Sequence, residues 1–356
     1  MSADHRRQLL LGSLIALGSA ALFGTLGPIS RYAYAAGLTP LAFTMWRALI
    51  GGLALGLFVA WRARRGGTIV DLRRIPRREQ AMLATAAVAS MVLNLAIFSA
   101  FDRISVALAL LGFYTYPALI ALATTVFQHE SLGRGKVLAL ALASTGMVLV
   151  LVGQLDVAGA QLDALGVALA LLAASAQVVN VLVSRRGYRS VPTAEATTTI
   201  LLSGGLAYFV LALLVGQPAS AAGPFAVPAA LPLILTAGIL AAAVPSLGFL
   251  TAIRWIGGVR TGILMLFEPV VGVTLAALLL GEALLPLQVA GGALVLAAGV
   301  LLQRIPEPAA AHEVPLPEPE AAADSAATAW PPAAAGAVVT RLRGPGTESA
   351  EDARLY

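Results

Sequence analysis

Long apolar runs, broken at fairly regular intervals by charged residues, proline or glycine, dominate residues 9 to 303. A membrane-crossing helix needs about 20 mostly apolar residues. Ten such spans fit, at about 9–30, 40–61, 81–100, 105–127, 137–153, 162–184, 192–216, 231–253, 261–280 and 286–303. Residues 1–8 precede the first span as a short polar N-terminus. From Ile305 onward the composition turns to Ala, Pro and Glu, which cannot bury enough apolar surface to order itself, so 305–356 is expected to be a disordered tail.

An internal repeat underlies the pattern. Adding 152 takes Pro40 to Pro192, Gly52 to Gly204, Ala100 to Ala252, Ile104 to Ile256, Pro117 to Pro269 and Glu130 to Glu282 without a gap. The same shift superposes the span boundaries, giving five helices in 9–153 and five in 161–303. Five is odd, so the second half must enter the membrane from the opposite face. The expectation is therefore an all-α integral membrane protein of ten transmembrane helices, arranged as two inverted five-helix repeats. Such pairs occur in secondary transporters, whose halves rock around a central site.

Charge gives the orientation. Arg6 and Arg7, the arginines of the 62–79 connection, Arg134 and Lys136, Arg185, Arg186 and Arg189, Arg254 and Arg260, and Arg304 all fall on one side, whereas the other side holds Arg31 and Arg103. By the positive-inside rule both termini are cytoplasmic, in a multi-pass protein of the cell (plasma) membrane. The formal charge of +5 thus reads as loop arginine, not as a nucleic-acid site. Arg6 and Arg7 before an apolar stretch also resemble a signal peptide, but removing it would leave nine spans and break the alternation.

Composition agrees, with 59% hydrophobic and 12% charged residues and a mean hydropathy of +0.87, against about 25% charged in soluble domains. The chain has no cysteine and three histidines, none with a second nearby at ligand spacing. No metal site and no cofactor is expected. An intramembrane enzyme would need a nucleophile, base or metal constellation at membrane depth, and no His-x-x-x-His, Gly-x-Ser-x-Gly or intramembrane Asp pair is present.

An ionisable group inside a span calls for a partner, a wet cavity or a route to the interface. Glu268, just before Pro269 and the repeat mate of Tyr116, is the sharpest case. Desolvation disfavours its charged form, which suits it to bind and release a coupling proton; the alternative is a neutral carboxyl packed against a neighbouring helix. Arg47 lies seven residues beyond Pro40. It could hold a substrate carboxylate, but the favoured reading is structural, a guanidinium that snorkels to the outer interface or pairs with carbonyls at a helix end. Gln177, Asn180 and Ser184 share one helical face, as do Ser90 and Asn94; the mate of Gln177 is Thr25 and that of Asn94 is Ser246. Tyr114 and Tyr116 flank Thr115 before Pro117, whose ring invites a kink. Arg47, Thr25, Asn94, Tyr114, Tyr116, Gln177, Asn180 and Ser246 are accordingly the candidate substrate-binding residues. Such polar groups also glue transmembrane helices together. Glu130 and Glu282, at helix ends, suit capping.

These residues resemble the EamA-like members of the drug/metabolite transporter superfamily, over about 9–303. The resemblance rests on Arg47, on Pro117 with Glu130 and Gly146, and on Pro269, Gly281, Glu282, Gln288, Gly291 and Gly299. Thr199 stands where the second repeat would carry its arginine, and Ser144, Thr145 and the Arg134 to Lys136 stretch depart from the pattern. The resemblance implies export of a small organic metabolite or drug from the cytoplasm, driven by a proton or solute gradient. The partners are then the solute, the lipid bilayer and protons as coupling ion, with no nucleic acid. An uptake permease of the same fold, or a membrane sensor or scaffold that does not transport, are the alternatives.

Overall fold

Proline sets most of the breaks in a chain that is otherwise helical. The structure, a computed structural model, describes residues 3–104, 106–128, 133–158, 163–225, 227–280 and 285–305. Among them every regular element is a helix. The first half holds α1 (Ala3–Gly24), α2 (Leu26–Ala35), α3 (Pro40–Arg64), α4 (Arg77–Arg103), α5 (Val106–Phe113), α6 (Tyr116–Gln128) and α7 (Arg134–Ala158). The second holds α8 (Ala164–Arg186), α9 (Thr193–Leu214), α10 (Pro218–Ala222), α11 (Leu231–Gly238), a π-helical turn (Ile239–Ala243), α12 (Val244–Ile256), α13 (Gly258–Met265), α14 (Glu268–Leu280) and α15 (Pro286–Arg304). Glu130, Gly281, Glu282 and the tail from 306 lie outside the described residues.

Among the described residues eight helical stretches, from Arg6–Ala35 to Pro228–Ile256, are long and apolar enough to cross a membrane, and Pro286–Leu302 is a shorter apolar helix. The chain is thus a multi-pass membrane protein. Three expected spans differ in detail. The first runs on to Ala35 past a break at Thr25, the fourth is divided between α5 and α6, and the ninth is divided between α13 and α14.

The breaks within the fourth and ninth spans have one cause. A helical N–H bonds the carbonyl four residues back, and proline has none to give. Pro117 therefore leaves the carbonyl of Phe113 without its donor, and α5 ends at Phe113; Pro269 does the same to Met265, where α13 ends. Tighter bonds close the joints, Thr115 N–H to Gly112 O at 3.3 Å and Phe267 N–H to Leu264 O at 3.1 Å. The shift of 152 thus carries the starts of α5, α6 and α7 onto those of α13, α14 and α15.

The helix pairs obey the same shift. α4 packs on α8 and α1 on α12, which exchange when the halves are exchanged, while α3 packs on its own mate α9 and α7 on its mate α15. The α7–α15 seam is closest at Gly146 and Gly291, where a Cβ on either would stand 2.5 Å from the other's carbonyl oxygen. Small residues are required there because backbone meets backbone.

Two cations counted above as loop residues prove to be pinned. Arg260 is 1% exposed and donates to the carbonyls of Leu302 and Ile305 at the end of α15. Arg254 donates to the carbonyls of Val191 at 2.8 Å and Tyr188 at 3.1 Å. Both therefore hold helix ends or turns, as the last carbonyls of a helix invite.

Candidate functional site

A cavity of about 180 Å³ lies among α1, α3, α4, α5, α8, α9, α12 and the α13–α14 joint. Its wall includes Glu268, Arg47, Asn94, Tyr116, Gln177, Asn180 and Ser246, together with Ser90, Ser184 and Thr197 and the rings of Phe23, Phe98, Phe113 and Phe249. Thr25 and Tyr114 are not on it. The Thr25 hydroxyl donates to the Leu22 carbonyl at 2.7 Å inside the break between α1 and α2. Tyr114, 2% exposed, stands behind the wall beside Tyr116, ring centroids 6.2 Å apart.

The wall follows the repeat. The shift of 152 pairs Ser90 with Ala242, Asn94 with Ser246, Ile97 with Phe249, Phe98 with Leu250, Phe113 with Met265 and Tyr116 with Glu268, and every member of these pairs lines the cavity. The rings and Thr197 are the part that sequence reasoning missed. The offset, applied to the neighbours of Asn94 and Tyr116 and not only to those residues, was the signal that could have found several of them.

Glu268 opens α14, placed there by the Pro269 break, and is half-buried with its exposed part toward the cavity. A carboxylate in a first helical turn faces the positive end of the helix dipole. The Tyr114 hydroxyl lies beside it, and Arg47 acts on it through its field.

Arg47 sits two turns into α3, which is started by Pro40 at its first position and capped by Thr39, whose Oγ1 accepts from Ala42 N–H at 3.1 Å. It is 6% exposed. Nη2 donates to Asn94 Oδ1 at 2.8 Å, and Nη1 donates to the Ala241 carbonyl at 3.1 Å. That carbonyl is available because Pro245, four residues on, has no N–H to offer it. The guanidinium also lies over the Phe98 ring, 5.6 Å from its centroid. Arg47 therefore ties the first repeat to the π-turn of the second while facing the cavity, and its Nε is buried without a partner. Among the described residues no ion pair joins Arg47 to Glu268.

The other polar groups divide into engaged and open. Asn94 Nδ2 donates to Ser90 O at 2.7 Å, so both ends of this amide are held by protein. Asn180 Oδ1 accepts from Ser184, whose oxygen lies 2.6 Å from the Tyr188 hydroxyl. Gln177 and Ser246 line the cavity and make no hydrogen bond through their side chains with the described residues. No group of histidine, cysteine or carboxylates that could hold a metal occurs among the described residues.

Comparison with known proteins bears on the fold and the family. Among the solved structures that match, one crystal structure of a protein does so with a TM-score of 0.67 at 22% identity, covering 82% of this chain and 95% of that one, a likeness of fold alone. None of the curated proteins matches. The EamA-like transporter family matches twice, over residues 10–152 and 164–303, one match for each half. With both halves of the helical architecture so covered, the chain belongs to the EamA-like transporter family, a family of membrane transporters.

Proposed function

We propose that this protein is a secondary active transporter that exports a small organic metabolite or drug from the cytoplasm by alternating access, coupled to protons at Glu268. In this reading α13–α14 and α15 complete ten spans, the halves lie inverted in the plasma membrane, and both termini are cytoplasmic. The observation that carries the reading is a cavity walled by repeat-mate positions of both halves, with one carboxyl group and one guanidinium facing it unpaired to each other. Its volume of about 180 Å³ is below the roughly 300–1,000 Å³ of drug-sized clefts, which favours a small solute. Gln177, Ser246 and the remaining Arg47 donors offer the polar contacts, and the rings take the apolar part.

The proton has a defined place. Protonation of Glu268 removes the only cavity-facing negative charge among the described residues and changes its attraction to Arg47, so solute and proton bind interdependently. In proteoliposomes, transport of a solute found by a ligand-stabilisation screen is expected to depend on an imposed pH gradient. Glu268→Gln abolishes that dependence. Full coupling in this variant would remove Glu268 from the mechanism.

A further inference from the structure

The connection between α3 and α4 carries far more positive charge than orientation in the membrane requires, and the charge is held in an ordered frame. Residues 62–78 contain seven arginines. Arg62 is committed to Glu195, at 2.9 Å, and Arg74 to Asp71, at 3.2 Å. Arg64, Arg65, Arg73, Arg77 and Arg78 are exposed and form no ion pair among the described residues.

The backbone beneath them is fixed at several points. Val70 N–H donates to Glu195 Oε2 at 3.0 Å, Gln80 Nε2 donates to the carbonyls of Arg73 and Ile75 at 3.2 and 3.1 Å, and Ile75 is buried against Leu83 and Val191. Glu79 would be the local counter-charge, but its Oε2 accepts from Ser190 N–H at 3.0 Å. Arg77 and Arg78 occupy the first turn of α4, where the helix dipole disfavours cations. Five cations are thus clustered at an electrostatic cost and left without an anion.

Location selects the anion. The loop joins two membrane spans, so it is held at headgroup height. Trp61, half exposed with Arg65 stacked on its ring at 4.5 Å, has the placement of an interfacial anchor, and Ile69 is 57% exposed among the arginines. We infer that residues 64–78 form a preordered docking surface for the phosphate headgroups of anionic phospholipids. Arginine forks suit phosphate oxygens, and basic clusters beside a span attract anionic leaflets.

The test uses the full-length protein in nonionic detergent, with phosphatidylglycerol or phosphatidylcholine added, read by native mass spectrometry and thermal unfolding. The wild type retains phosphatidylglycerol in preference, unfolds at a higher temperature with it, and loses both effects as salt is raised. Arg73→Gln combined with Arg77→Gln and Arg78→Gln weakens phosphatidylglycerol binding on the order of a hundredfold and leaves phosphatidylcholine unchanged. The corresponding triple lysine variant keeps the charge and the binding, which separates loss of the site from loss of the fold. Equal retention of the two lipids by the wild type, undiminished binding in the glutamine variant, or loss in the lysine variant would overturn the inference. So would stabilisation by glycerol phosphate, or by an RNA oligonucleotide, equal to that by the lipid.

Discussion

At the scale of single residues, Arg47 shows how a proline in one repeat is answered by a side chain from the other. Pro245 has no N–H to give the Ala241 carbonyl, and Arg47 Nη1 takes that place. Arg47→Gln should destabilise the fold by about 1–3 kcal/mol, because it leaves a buried acceptor unsatisfied. Adding Pro245→Ala restores a backbone donor to Ala241 and should recover part of the loss, so the two substitutions are coupled. A double-mutant cycle by thermal unfolding checks this; strictly additive costs would show that the carbonyl is not what Arg47 serves. In the sequence both roles of Arg47 were open, since a position seven residues past Pro40 says nothing about a carbonyl 194 positions away. The place of Glu268 on the cavity wall was legible for a different reason. A carboxyl within an apolar run calls for a partner, a wet cavity or a route to the interface, although the sequence left a neutral packed carboxyl equally open. Thr25 was drawn in only as the mate of Gln177, and its hydroxyl is spent on the break between α1 and α2. Glu195, buried and paired with Arg62, escaped notice because it stands in the first turn of α9, where a carboxylate looks like an ordinary helix start.

At the scale of elements, breaks were legible and seams were not. Pro117 and Pro269 announce the ends of α5 and α13 by removing a donor at a known distance, whereas the meeting of Gly146 with Gly291 depends on how α7 and α15 cross. That seam makes a sharp contrast possible. Alanine is the better helix former by about 1 kcal/mol, but at Gly291 its Cβ would stand 2.5 Å from a backbone oxygen that cannot swing aside. Overpacking wins, and Gly291→Ala should lose about 1–3 kcal/mol. Gly18→Ala in α1 meets nothing within 4 Å and should hold or raise stability. Thermal unfolding of both variants in one detergent decides whether the contact or the propensity rules. The start of α8 gives a pH effect. Asp163 accepts from Leu165 N–H at 3.1 Å and pairs with Arg103 at 3.0 Å. The Arg103 guanidinium first, and the Leu165 amide second, hold its carboxyl below the usual range. The charged cap is therefore present above that range and lost as pH falls through the lowered value. Asp163→Asn should flatten the decline of stability below about pH 4 and leave neutral pH nearly unchanged, because the group is exposed to solvent.

At the scale of the whole molecule, the connection after the second long helix of each half crosses to the other half. The loop after α3 is pinned on the first turn of α9, through Val70 N–H and Arg62 on Glu195. The loop after α9 is pinned on the N-terminal part of α3, where Ser220 Oγ lies 2.9 Å from Oγ1 of the capping Thr39 and Gly223, at φ +44°, passes the edge of Trp46 so closely that a Cβ would not fit. These are repeat-related straps built from different chemistry, an ion pair at one and hydroxyls with an aromatic edge at the other. If the halves exchange conformations during transport, the straps cannot both stay closed throughout the cycle. Because the chain has no native cysteine, a Thr39→Cys and Ser220→Cys pair can be joined without background. Oxidation should stop transport while leaving solute binding intact, and reduction should restore transport. Undiminished transport by the fully cross-linked protein would show that this strap stays closed throughout, and the moving parts would then have to be sought in the α5–α6 and α13–α14 joints that flank the cavity.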